Sequence, residues 1–307
     1  MCKDVCIIIP SYKNKELLSK SLGSILRQQN SQLEIIIIDN GVSEDISDWL
    51  QHIILRYDCI RVIKYDKPNI ANAKNLAINK SNCKFITFLD SGDTWYDNKL
   101  VNQIKFMKTH PTCTLSFTNY LNVDKQYQPI VDCFTYLSEF SKSYKFASNE
   151  FIPFKSALNT LLKNNVIGSS TVMVRRDAIL KSGGFDPSLK TASDWDCWLR
   201  LAVQGNFYFC HEITTEHFMH KHAQNTFEEK HLEALGEIIE RVSLHPDIKP
   251  LTIQHAQANL NEIHADYHRQ LGHKILAIKH DIKAAFLYPH KRNLKHFFHD
   301  IKQLMYI

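Results

Sequence analysis

Lys84-Phe85-Ile86-Thr87-Phe88-Leu89-Asp90-Ser91-Gly92-Asp93 is a short apolar run that stops on acidic and turn-forming residues. The same layout occurs earlier in Val5-Cys6-Ile7-Ile8-Ile9-Pro10-Ser11-Tyr12 and in Glu34-Ile35-Ile36-Ile37-Ile38-Asp39-Asn40-Gly41. Between these runs the spacing changes from continuous to helical. Leu17, Leu18, Leu22, Ile25 and Leu26 predict a helix from Lys15, and further helices are expected over Asp45 to Leu55 and Ile70 to Asn79. With a strand at Ile60 to Lys64, the pattern is that of a mostly parallel sheet flanked by helices on both faces, an α/β fold. In such sheets ligands bind beyond the carboxyl ends of the strands. That rule selects Ser11-Tyr12, Asp39-Asn40 and Asp90-Ser91-Gly92-Asp93.

The composition narrows the chemistry. The chain has 307 residues, 44% hydrophobic and 22% charged, as in ordinary globular proteins. Only nine glycines are present, and neither G-x-G-x-x-G nor G-x-x-x-x-G-K-[ST] occurs, so phosphate would be handled by side chains and a metal. The eight cysteines form no C-x-x-C pair, and Met1 to Asp4 leads directly into an apolar run. No apolar stretch approaches the ~20 residues needed to span a bilayer. These features predict a reducing, cytoplasmic setting.

Beyond Asp93 the reading is less even. Residues 116–165 are rich in Tyr, Phe, Ser and Lys and read as irregular. A strand is expected at Ser170 to Val174, a helix near Arg176, and another over Asp194 to Val203 carrying Trp195 and Trp198. From Thr226 the chain reads as helical, with breaks at Pro246, Pro250 and Pro289.

Six of these segments, in order, resemble glycosyltransferase family 2, the inverting transferases of GT-A fold. Ile7 to Asn14 is similar to the family's opening strand and turn, and Glu34 to Gly41 to its second strand. Ala71 to Ala77 resembles its A-R-N-x-G helix, and Phe88 to Trp95 its F-L-D-x-D-D stretch. Gly183-Gly184-Phe185-Asp186 and Ser193 to Arg200 resemble G-G-F-D and E-D-x-D-L-W-L-R. The resemblance covers residues 4–225 and implies a Rossmann-like GT-A catalytic domain at 1–225 with a helical extension at 226–307. It implies transfer of a sugar from a nucleotide diphosphate donor, UDP-linked above all, to a saccharide or lipid-linked glycan in lipopolysaccharide, capsule or other surface polysaccharide.

Carried over residue by residue, Pro10, Ser11, Tyr12, Asp39, Asn40, Asp90 and Ser91 would hold the nucleotide-sugar. Lys74 stands where the family has Arg, a cation facing the diphosphate. Asp90 and Asp93, with His222 of the run His217-x-x-His220-x-His222, would hold Mn²⁺ or Mg²⁺. Asp194 would be the catalytic base, taking the acceptor hydroxyl's proton opposite the leaving group. Gly184, Phe185 and Trp195 would meet the acceptor. The sequence departs from the family twice: Gly92 replaces the metal-binding Asp of D-x-D, and Ser193 replaces a Glu. Both departures also suit a non-catalytic relative that binds nucleotide-sugar or glycan within an assembly complex.

From His273 onward seven Lys/Arg stand against two Asp, an excess equal to the net +5 of the whole chain. Ile275, Leu276, Ile278, Ile282, Ala285 and Phe286 recur at helical spacing, as do Leu294, Phe297, Phe298, Ile301, Leu304 and Met305. Two readings stand: peripheral contact of these basic helices with an anionic membrane, or packing of their apolar faces on the protein. No fold signature accompanies the charge, which argues against nucleic acid as a partner.

Overall fold

A computed structural model describes residues 3–11, 14–28, 32–40, 44–65, 67, 69–144, 149–219 and 229–289. The chain divides into two compact units, one of Met1–Lys155, Val166–Ser188 and Ser193–Met219, the other of Ser156–Asn165, Leu189–Ala192 and His220–Ile307.

In the first unit β1 (Val5–Ser11), β2 (Leu33–Asp39), β3 (Ile60–Lys64) and β4 (Phe85–Phe88) run parallel. Strands β1, β2 and β4 are buried along their whole length, which is why they read as unbroken apolar runs. Helices α1 (Lys15–Leu26), α2 (Glu44–Arg56) and α3 (Ile70–Lys80) form the crossovers. Asn14 and Asn69 start α1 and α3 by accepting the amides of Leu17 and Asn72 on their side chains. After β5 (Thr94–Trp95) comes α4 (Lys99–Thr109), and then β6 (Cys113–Val123). The outer elements are β7 (Pro129–Asp132), α5 (Cys133–Tyr136), α6 (Ser138–Ser143) and β8 (Ile152–Pro153).

Among the described residues one sheet has the order β3-β2-β1-β4-β9-β6-β10-β5, where β9 is Met173–Arg175 and β10 is Asn206–Phe218. Strand β9 is antiparallel between β4 and β6, whereas β6 and β10 pair parallel. Strand β6 falls in the stretch read as irregular, and β10 in one to which no element was assigned. The strand expected from Ser170 starts at Met173, because Ser169–Thr171 forms a 3₁₀ turn. Helices α8 (Arg176–Lys181) and α9 (Ser193–Gln204) complete the unit.

The second unit contains α7 (Ala157–Lys163), α10 (Glu229–Ser243), α11 (Pro250–Gln270) and α12 (Lys274–Leu287). Pro250 opens α11, a position where the missing N–H costs nothing. Gly272, at φ +76°, turns the chain from α11 into α12. The side of α12 that is buried carries Ala277, Asp281 and Ala284, while Ile275, Ile282 and Phe286 are exposed.

Lys99 is buried in the first unit with its ammonium 3.9 Å from the Trp95 ring centre and 3.2 Å from Thr87 Oγ1. Loss of hydration pushes its pKa well below the ordinary lysine value of 10.5. The unfolded chain therefore binds the extra proton, and stability rises with pH up to about 10.5. Lys99→Met is expected to raise the melting temperature at neutral pH by roughly 2–4 °C. The gain should shrink toward pH 10 in calorimetry; a gain independent of pH would contradict the account.

Candidate active site

The carboxyl ends of β1, β2 and β4 bring the first set of expected residues together. Ser11 closes β1 and faces Asp39, the last residue of β2, in register. Both are buried, and Ser11 Oγ has no hydrogen-bond partner among the described residues. The Ser91 hydroxyl donates to the Pro10 carbonyl at 2.8 Å, stitching the loop after β4 to the end of β1. Asn40, with its carboxamide oriented to satisfy its neighbours, donates to the carbonyls of Tyr65 and Lys67 at 2.9 and 3.1 Å. Tyr12, His220 and His222 lie outside the described residues.

Residues 90–93 form a turn fixed from several sides. Ser21 of α1 accepts the Gly92 amide at 2.9 Å and donates to the Asp93 carbonyl at 2.8 Å. The Tyr127 hydroxyl donates to the Gly92 carbonyl at 2.9 Å. Gly92 has φ +105°, and a Cβ there would stand 3.2 Å from the Phe218 ring. A side chain at this position therefore meets both backbone strain and a ring. Glycine takes this backbone without strain, which is a physical reason for Gly92 at this position.

Asp90 and Asp93 occupy opposite environments. Asp93 keeps only 2% of its surface exposed. Its Oδ1 accepts the Phe218 amide at 2.9 Å, and its Oδ2 accepts Ser170 Oγ at 2.6 Å with His217 Nδ1 at 3.2 Å. Partial burial would lower the His217 pKa, but the Asp93 charge, their hydrogen bond and the Asp90 charge together raise it to about 9. The Asp90 side chain is 42% exposed and stands 3.7 Å from Lys74 Nζ. Lys74 is not on a solvated helix face: its side chain is 9% exposed, with the ammonium 5.5 and 5.3 Å from the Phe88 and Phe185 ring centres. Asp90 is thus the more open carboxylate, shared only with Lys74 among the described residues, whereas both oxygens of Asp93 already accept hydrogen bonds.

The second set gathers around the start of α9. Asp194 Oδ2 accepts Ser169 Oγ at 3.0 Å, and its Oδ1 accepts the Trp195 amide at 2.8 Å. Ser170, the next residue, binds Asp93 and also accepts the Asp90 amide on its hydroxyl at 3.1 Å. The 3₁₀ turn therefore joins the expected base to the expected donor loop. Tyr120 completes this group, edge-on to His217 at 5.5 Å; its hydroxyl pKa is raised well above 10, first by burial and also by Asp93 and Asp194. Trp195 is largely buried, and Phe185 is wholly buried against Phe88 and Trp198, at 5.3 and 5.8 Å. Gly184, at φ +69°, leaves room for the Asn75 carboxamide, which bonds both backbone groups of Phe185 at 2.8 and 2.7 Å.

Sequence reasoning did not single out Ser169, Ser170 or Tyr120, and it preferred His222 to His217. The signal available was the run Gly168-Ser169-Ser170-Thr171, a glycine and three hydroxyl residues before a strand. In metal-free protein the His217 imidazole is expected to titrate near pH 9 by NMR. The pair then contributes to stability below about pH 6.5 and loses its contribution as pH rises through about 9. Asp93→Asn should drop that midpoint to 6.5 or below; an unchanged midpoint would refute the pairing.

Residues 6–183 match the Glycosyl transferase family 2. The chain is 30% identical over 203 residues to the putative teichuronic acid biosynthesis glycosyltransferase TuaG of Bacillus subtilis, covering 66% of this chain and 73% of that one. It is 28% identical over 206 residues to the Escherichia coli UDP-Glc:alpha-D-GlcNAc-diphosphoundecaprenol beta-1,3-glucosyltransferase WfgD, covering 66% and 71%. The mannosyltransferase PcManGT from Pyrobaculum calidifontis, solved with GDP-Man and Mn²⁺, superposes with a TM-score of 0.64 at 14% identity, over 98% of this chain and 85% of that one. The mostly parallel sheet and its covering helices are a GT-A fold. The chain belongs to glycosyl transferase family 2.

Proposed function

We propose that this glycosyltransferase moves a hexose or N-acetylhexosamine from a UDP-sugar to a saccharide or lipid-linked glycan of a surface polysaccharide, with inversion. The observation that carries the reading is the Ser169–Thr171 turn, which holds Asp194 by one hydroxyl and the Asp90–Asp93 loop by the next. A base and a donor-side loop fixed by adjacent residues suit a single displacement. The names of TuaG and WfgD support the acceptor class, and that of WfgD the UDP donor.

In this reading the nucleotide lies along Pro10, Ser11, Tyr12, Asp39, Asn40 and Ser91. Lys74 faces the diphosphate as a point charge, held over two aromatic rings. Asp194 removes the proton from the acceptor hydroxyl as its oxygen attacks the anomeric carbon. The bond from that carbon to the phosphate oxygen breaks on the opposite face, and the nucleotide diphosphate departs. Ser169 orients Asp194, and Asp93 positions His217 beside the donor loop. Asp90 would hold a divalent cation, Mn²⁺ or Mg²⁺, whose charge offsets that of the leaving diphosphate. Trp195 and the Gly184 backbone border the acceptor, with Phe185 as support beneath them.

The test is nucleotide release from a panel of UDP-, GDP- and dTDP-sugars with saccharide and polyprenyl-diphosphate acceptors, together with the anomeric configuration of the product. Asp194→Asn is expected to lower kcat by about 10²–10⁴-fold while UDP affinity stays unchanged. Equal release by wild type and variant, or a product of retained configuration, would overturn the assignment.

We also infer peripheral attachment at the cytoplasmic face of an anionic membrane, where a lipid-linked acceptor would be met. No helix among the described residues is long and apolar enough to cross a membrane. On α12, Ile275, Ile282 and Phe286 form an exposed stripe that includes Lys279, opposite the buried alanines. The protein is expected to float with vesicles containing anionic lipid, and Ile282→Glu/Phe286→Glu to stay in the soluble fraction. Equal flotation of both proteins would sink the inference.

A further inference from the structure

Three histidines of the second unit converge without any part in the chemistry above. His264 and His268 are four residues apart on α11 and share one face of that helix. The turn at Gly272 brings α12 back alongside, and His280 meets them from there. One ring nitrogen of each lies within 4.8 Å of those of the other two. The His280 ring stacks on both others, at 4.8 Å and 13° from His264 and at 5.4 Å and 26° from His268.

We propose that His264, His268 and His280 bind a late first-row transition-metal ion, zinc above all, which fastens α11 to α12. Zinc takes imidazole nitrogen at about 2.0–2.1 Å in a tetrahedral arrangement, so its ligand atoms stand about 3.3 Å apart. Binding would require the stacked rings to turn out of their near-parallel arrangement, so that their in-plane lone pairs converge and the nitrogens close from within 4.8 Å. Three imidazoles with no carboxylate among them suit zinc, cobalt, nickel or copper, and not the magnesium or manganese expected at Asp90. Three protein ligands leave one corner of the tetrahedron for water.

The surroundings fit ligands. His280 Nδ1 lies 2.9 Å from Asn261 Oδ1; with the carboxamide so oriented, Nδ1 carries the proton and Nε2 keeps its lone pair. The His268 Nδ1 atom is buried with no hydrogen-bond partner among the described residues, a costly state for a polar atom that a ligand would relieve. Burial, then the charges of His268 and Lys283, lower the His264 value. Burial and the neighbouring histidines and lysines take His280 down to about 4. Both shifts favour the neutral form of His264 and His280, the form that binds metal. The frame is rigid: Ala265, Ala277 and Ala284 are completely buried, and Arg269 of α11 pairs with both Asp266 and Asp281.

The experiment uses the full chain, stripped of metal and free of any affinity tag. Zinc is titrated calorimetrically and cobalt by its visible absorption. One equivalent of zinc per chain, a tetrahedral cobalt spectrum and a raised melting temperature are expected. His264→Gln/His268→Gln should weaken zinc at least tenfold, whereas Asp90→Asn should bind it like wild type. X-ray absorption on the wild-type zinc protein should count three imidazole nitrogens, a readout that stands even if the double variant fails to fold. No zinc bound by wild type, unchanged binding by a folded double variant, or a ligand shell without three imidazoles would each overturn the proposal.

Discussion

The carboxylate of Asp93 is almost wholly removed from water, and a carboxylate persists in such a place only when donors surround it. Its three donors come from distant parts of the chain: Ser170 lies 77 residues on, His217 124 and Phe218 125. Satisfying one buried group therefore fixes the loop after β4, the turn before β9 and the end of β10 relative to each other. Ser21 grips the same loop from α1. The geometry of the site follows from this convergence. Ser170 cannot hold Asp93 without setting Ser169 where it reaches Asp194.

A division of labour between the two acidic residues follows. Asp93 spends its oxygens on the fold, and Asp90, three residues earlier, keeps an exposed face beside Lys74. Gly92 allows the turn between them, because a side chain at φ +105° would be strained and would press on the Phe218 ring. Lys74 is held in place by its bed: Phe88 and Phe185 beneath it are themselves packed against Trp198 and fixed by the Asn75–Phe185 hydrogen bonds.

The parallel half of the sheet was legible because its strands are buried on both faces, and Ile7–Ile9 and Ile35–Ile38 announce that directly. The strand-end rule then located Asp39 and Asp90 without further help. Strand β6 was not legible. Its Ser116, Thr118 and Asn119 are polar yet buried, each satisfied by a partner on another element: Gln103, Thr214 and Asp132. A one-dimensional pattern cannot show such partners. Strand β10 was obscured by the buried polar Thr214 and Thr215, and by register shifts between Cys210 and Thr215. His217 and Ser170 remained invisible for this reason, since their significance exists only through Asp93.

In the helical hairpin the spacing of apolar residues left two readings open. The large apolar residues of α12 allow packing on the protein or contact with a membrane, and it is Ala277, Ala284 and Asp281 that occupy the buried face. Small side chains allow two helices to approach closely, and here the ion pair of Arg269 with Asp281 sits within that seam. Close approach is what brings His280 into ring-stacking distance of His264 and His268. With the seam committed to alanines, Ile275, Ile282 and Phe286 have only the opposite face left to occupy. One packing choice thus produces both properties of α12: imidazoles gathered on one side and an apolar stripe presented on the other.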